Sequence, residues 1–136
     1  MRKFLAVVVG VGLCCASAPA SAHHSFAAEF DIDKPVTLKG TLTSLEWVNP
    51  HGWLHIDVKQ PDGTVVNYAV ESGAAQSLLR RGLRMTDFPI GSEVIVEGFR
   101  ARNGKPTVNG SSVKFADGRN FFLGAPPDAP QPNAQK

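Results

Sequence analysis

The four histidines of this 136-residue chain fall in two places, and each place offers different chemistry. His23 and His24 stand together in His23-His24-Ser25-Phe26, directly after Ala20-Ser21-Ala22. A cut after Ala22 would give His23 a free α-amine beside its imidazole. The two nitrogens can chelate one ion, with His24 as a third donor. A planar set of nitrogen donors favours Cu(II), and imidazole also suits zinc and nickel. Copper is therefore the cofactor this terminus implies. The plainer reading is a flexible end that happens to carry two polar side chains.

The second place is Trp47-Val48-Asn49-Pro50-His51-Gly52-Trp53-Leu54-His55. Strand alternation puts His51, Trp53, His55 and Asp57 on one face. Same-face neighbours lie roughly 7 Å apart, so His51 and His55 are about 13 Å apart and cannot share an ion directly without a bulge. His51 alone remains as a third metal donor for His23 and His24. Trp47, Asn49, His51, Trp53 and His55 form a candidate ligand-binding set, suited to a protein or a glycan. Against this, Asn49 and His51 can simply bond their own turn while Trp53 covers the mouth of a barrel. That structural role is the favoured reading for His55.

The remaining charged groups give less. Glu29, Asp31 and Asp33 alternate with Phe30 and Ile32, as in an edge strand or extended arm. Glu46 and Glu71 sit near strand ends and could meet in space. Arg80, Arg81 and Arg84 make a small basic patch that a helix C-terminus explains. No Gly-x-Ser-x-Gly, His-Glu-x-x-His or phosphate-cradling glycine loop occurs, so no enzyme is read here.

These residues need elements to hold them. Val36, Leu38 and Leu42 share one phase, whereas Leu45 and Trp47 take the other, the pattern a β-bulge produces. Leu54, Ile56 and Val58, the turn Pro61-Asp62-Gly63, then Val66, Tyr68 and Val70 predict a hairpin over 53–71. Ser72 is placed to cap a short helix through Arg81, which Gly82 stops. Strands follow at 93–100, 108–115 and 120–123. Five or six short strands with one helix after the third predict an all-β domain, a small OB-like barrel, with a β-sandwich as the alternative.

The ends set the compartment. Arg2 and Lys3, the apolar run 4–15 and Ala20-Ser21-Ala22 are the three parts of a secretory signal, residues 1–22. About a dozen apolar residues cannot cross a bilayer core of roughly 30 Å, so no membrane anchor is expected after cleavage. Cys14 and Cys15, the chain's two cysteines, would leave with that signal. The periplasm or the exterior is then the expected location. Removing Arg2 and Lys3 takes 14 basic residues to 12, equal to the 12 acidic ones. A neutral domain lacks the footprint of a nucleic-acid binder. Residues 124–136 carry four prolines and no large apolar side chain, which predicts a disordered tail. One folded domain is left, residues 23–123.

Taken together, the start His23-His24-Ser25-Phe26-Ala27-Ala28-Glu29-Phe30-Asp31, Leu38-Lys39-Gly40, Trp47-Val48-Asn49-Pro50-His51 and Val70-Glu71 resemble an uncharacterised family of small exported bacterial proteins. The resemblance extends through Arg81-Gly82, Gly91-Ser92-Glu93-Val94 and Asp117-Gly118. It implies export and a shared fold, and carries no catalytic residue with it.

Overall fold

The computed structural model describes residues 26–124. The expected signal, both cysteines, His23, His24 and the proline-rich segment from residue 125 lie outside the described residues.

A one-turn helix α1 (Phe26–Glu29) leads into a 17-residue strand β1 (Phe30–Glu46), followed by β2 (Gly52–Lys59) and β3 (Val65–Ser72). Helix α2 (Ala75–Arg80) and a 3-10 turn (Met85–Asp87) connect to β4 (Glu93–Ala101), β5 (Thr107–Phe115) and β6 (Asn120–Phe122). The strands form one sheet in the order β3-β2-β1-β4-β5-β6, and β3 also pairs with β5. That added pairing is parallel, Ala69 to Thr107 and Glu71 to Asn109, and it closes β1-β2-β3-β5-β4 into a hydrogen-bonded ring. The six strands with one short helix between the third and fourth are the all-β arrangement that the alternation predicts. It is one sheet curled on itself, not the two facing sheets of a sandwich.

Its length lets β1 serve both neighbours. Its first part pairs with β4, from Phe30–Ala101 to Thr41–Glu93, and its last part pairs with β2, from Thr41–Asp57 to Glu46–Trp53. The register slips between Leu42 and Ser44, at the phase change expected from the apolar pattern. Gly40 permits the bend, because a Cβ there would stand 2.5 Å from the Asp57 carbonyl oxygen.

Strict alternation fills the interior. Leu54, Ile56, Val70, Val96, Val108 and Val113 are fully buried, joined by Leu42, Leu78 and Leu123. Each such side chain is worth about 1.5–3 kcal/mol relative to exposure. Trp47, Phe88, Phe115 and Phe121 seal one end of this core, with ring centroids 5.3–6.0 Å apart along the chain of contacts.

A second, smaller cluster lies elsewhere. Phe26 stacks on Phe30 at 5.7 Å and meets the edge of Phe99 at 5.6 Å, with Ile32 and Ala101 alongside. Phe99 alternates with the core-facing Val94 and Val96, so this cluster sits on the outside of β4. Arg102 fastens the arm there: its backbone N–H donates to the Glu29 carbonyl, its Nε donates to the Ala27 carbonyl, and its Nη1 lies 3.7 Å from Asp31.

One expected detail is different. Ser72 does not cap α2. It ends β3 with its hydroxyl donating to the Gly73 carbonyl, and α2 begins after Ala74 without a side-chain cap of its own. The cap comes from a distant turn, as described next.

Candidate functional site

The Asn49-Pro50-His51 turn joins β1 to β2, and its Asn49–Pro50 peptide is cis. Its anchor is the start of α2. The Val48 carbonyl accepts the Ala75 N–H, and Asn49 Oδ1 accepts the Gln76 N–H at 3.3 Å. Two of the orphan donors at a helix start are satisfied in this way, and the turn is held in place in return. On its other side Trp47 tilts against Phe88, 5.7 Å between centroids. Trp47 thus packs against the core, on the side away from Trp53's outer face.

So positioned, His51 points Nδ1 at Glu71 Oε1, 2.9 Å away. The imidazole is half exposed, but the Glu71 side chain is only 10% accessible. The second oxygen of Glu71 receives the amide N–H of Asn109 from β5, at 3.4 Å. Asn109 is 7% exposed, and its Oδ1 is buried without a hydrogen-bond partner. The row runs Asn109, Glu71, Trp53, Glu46 across four neighbouring strands, on the face away from the core.

His55 makes the matching contact further along β2. Its Nε2 lies 2.7 Å from Glu46 Oε1, at a carboxylate 55% exposed. Asp57 accepts from Asn67 Nδ2 at 2.8 Å, and Asn67 also reaches the Thr43 hydroxyl. Glu46 and Glu71 therefore do not meet. Each takes a different histidine, one on either side of Trp53.

Trp53 itself walls a cleft of about 480 Å³ between the arm and the rest of the sheet. Ala28, Glu29 and Phe30 supply the arm side, and Arg102, Asn103 and Thr107 supply the β4–β5 loop and the start of β5. Of the five residues expected to bind ligand, the structure places Trp53 in this cleft and His51 on the carboxylate of Trp53's register partner. Asn49 caps a helix, Trp47 packs against the core and His55 holds Glu46. Of the three expected metal donors, only His51 lies among the described residues, where no group of three His, Cys, Asp or Glu side chains forms.

Glu71, Asn109 and Arg102 were not singled out as a site by their sequence. The phase of β3 does put Glu71 outside, beside Ala69 and Asn67. What buries it is the parallel neighbour β5, nearly 40 residues further on, and no local pattern reports that. The basic patch resolves into separate structural roles: Arg81 donates to the Ser77 and Phe122 carbonyls, and Arg80 to the Ser77 hydroxyl.

The chain belongs to DUF6152, a family of unknown function, whose match covers residues 10–110. No curated protein and no solved structure matches it. Among the described residues no helix is long and apolar enough to cross a membrane.

Proposed function

We propose that the protein is a binding module of the bacterial cell envelope that holds a saccharide-type ligand in the cleft beside Trp53. The observation that carries this is the placement of an indole, a carboxylate, a guanidinium, an amide and a hydroxyl around one concave space. Its size lies within the roughly 300–1,000 Å³ of small-ligand pockets. An indole offers a flat apolar platform for the C–H face of a sugar ring, and the planar polar groups around it match hydroxyls. By analogy, OB barrels bind oligosaccharides and oligonucleotides on the face of their second and third strands and the adjoining loops, including that between the fourth and fifth. Trp53 and Arg102–Asn103 occupy those places. The balanced charge left after signal removal favours the sugar over the nucleic acid.

Titration with soluble envelope oligosaccharides, followed by tryptophan fluorescence, tests this. Saturable binding is expected, weakened at least tenfold by Trp53→Ala and kept by Trp53→Phe in a calorimetric assay. Saccharide binding indifferent to Trp53→Ala would overturn the reading, as would retention of a protein partner and no sugar.

A second reading is transition-metal binding, and one observation favours it: His51 faces a nearly buried carboxylate rather than its own turn. In this reading His23, freed by cleavage after Ala22, contributes its amine and imidazole to Cu(II) with His24 or His51. Copper affinity of a chain starting at His23 should exceed that of the same chain with Met before His23. Equal affinities would remove the terminal chelate.

A further inference from the structure

We propose that Asn103, in the loop between β4 and β5, is a site of spontaneous covalent modification, where the side-chain amide becomes a carboxylate through a ring closed by the Gly104 nitrogen. Asn-Gly occurs twice in the chain, at Asn103-Gly104 and Asn109-Gly110, and the fold treats the two copies in opposite ways. The reaction needs this chain and water alone. Its consequence for a ligand rests on the saccharide reading of the Trp53 cleft.

The first copy meets each requirement of the chemistry. Asn103 and Gly104 are both exposed, in a turn outside the sheet. Glycine has no Cβ to hinder the approach of its own nitrogen to the neighbouring side chain. The Lys105 backbone N–H donates to Asn103 Oδ1 at 3.0 Å, the local bond by which asparagine mimics a backbone turn. That bond closes a ring containing both the amide carbon Cγ and the Gly104 nitrogen, and it holds the side chain folded along its own backbone. It also draws electrons from the Cγ carbonyl, which makes the carbon a better electrophile. The Gly104 N–H is only weakly engaged, 3.4 Å from the Ala101 carbonyl oxygen, against about 2.9–3.0 Å for an ordinary bond. Once base removes that proton, the Gly104 nitrogen attacks Cγ. A Cγ–N bond forms, the Cγ–Nδ2 bond breaks, and the side-chain nitrogen leaves as ammonia after taking a proton from solvent. Water opens the five-membered imide at either carbonyl, leaving aspartate or isoaspartate. Water enters and ammonia leaves, with no change of oxidation state.

The second copy is the internal control. Asn109 is 7% exposed, and Gly110 lies within β5 opposite Gly98 of β4. Asn109 Nδ2, the leaving group, donates to Glu71. The Val70 and Leu123 side chains stand 2.6 and 2.8 Å from where a Cβ on Gly110 would be, so the strand has no room to bend into an imide.

Asn103 lines the cleft beside Trp53, together with Arg102 and Glu29, whose charges are opposite. Conversion exchanges an amide that both donates and accepts for a carboxylate that only accepts, and tips the cleft wall to net negative. Acidic saccharides then fit it less well than neutral ones.

The test is peptide mass mapping of the full chain during incubation at mildly alkaline pH, folded and in guanidinium chloride. In the unfolded chain the two copies should convert at comparable rates. In the folded chain Asn103 should convert at least roughly tenfold faster than Asn109, because reaction at Asn109 waits on the opening of a core strand. The rate at Asn103 should rise with pH, and Asn103→Gln, which would have to close a larger ring, should slow it strongly. A folded chain that keeps the Asn103 amide while the unfolded chain loses it overturns the proposal, as do equal rates at the two copies in the folded chain. For the ligand, Asn103→Asp should bind acidic oligosaccharides severalfold more weakly than the unaltered chain and neutral ones about equally. Equal weakening of both would remove the charge effect. Failure of every form to bind a sugar would remove the saccharide reading and leave the mass result standing.

Discussion

Two histidine–glutamate pairs flank Trp53 on the outer face of the sheet, His51 of the β1–β2 turn with Glu71 of β3 and His55 of β2 with Glu46 of β1, and they differ in which partner faces water. In His55–Glu46 the carboxylate is the exposed member. In His51–Glu71 the histidine is exposed, and the carboxylate is sunk between β2 and β5. The first is an ordinary cross-strand contact, worth about 0–1 kcal/mol because water competes for both groups. The second commits a carboxylate to low-dielectric surroundings, where every one of its bonds matters and a missing one is costly. Residue type and spacing are alike in the two pairs; burial separates a surface contact from a site.

The largest effect expected on this contrast comes from outside both pairs. Trp47 packs on Phe88 and anchors the turn that carries His51. Trp47→Ala should cost roughly 3–5 kcal/mol in urea unfolding, whereas the exposed Arg84→Ala should stay within about 0.5. In the folded fraction, the ring resonances of His51 should move and those of His55 should not. If both histidines shifted together, the turn would not be the separate unit that its contacts describe.

The next effect tests the contrast directly. Glu71→Ala leaves the Asn109 amide in the interior without its acceptor, and stability should fall by about 2–3 kcal/mol. Glu46→Ala removes only a surface partner and should change stability by less than about 1 kcal/mol. Equal losses would mean that the two carboxylates are energetically alike, despite 10% against 55% exposure.

The sequence shows one half of this contrast better than the other. Alternation from Gly52 to Lys59 gives the hairpin and puts His51, Trp53, His55 and Asp57 on the less buried face, because local burial repeats every second residue. The bulge in β1 is legible for the same reason, as a change of phase. Burial of Glu71 is not, since it depends on a parallel pairing between β3 and β5 that closes the ring over a long loop. The cap on α2 follows the same logic. Ser72 has the right chemistry and position, but β3 continues through it, and Asn49, 27 residues before Gln76, takes the role through tertiary contact. The arm is a third instance: Glu29, Asp31 and Asp33 read as an edge strand or extended arm. Only the fold shows that Phe26 and Phe30 pin it to Phe99 and leave a cleft beneath.

A third class of carboxylate sets the lower bound. Asp62 and Asp117 are fully exposed turn residues, each bonded to groups two positions ahead. Asp62 accepts from the hydroxyl and the backbone N–H of Thr64, and these bonds hold its carboxyl below the usual range. Asp117 is lowered first by the Arg119 backbone N–H and then by the Arg119 side chain. A carboxylate whose folded pKa is depressed binds its proton more readily when unfolded, so its ionised form stabilises the fold above the unfolded pKa of about 4. That contribution is lost as the pH falls through the lowered folded value. Asp62→Asn keeps an acceptor oxygen for Thr64 and removes only the charge. Thermal melts should therefore place this variant slightly below the unaltered chain at about pH 6, with the gap closing as the pH falls through the acid range. Solvent screens both groups, so the shift should be smaller than that of either Trp47→Ala or Glu71→Ala. A gap that stayed constant across that range would show that the turn depends on shape and not on charge. A gap as large as that of Glu71→Ala would show that a solvent-facing carboxylate can matter as much as a buried one, which the two histidine pairs say it does not.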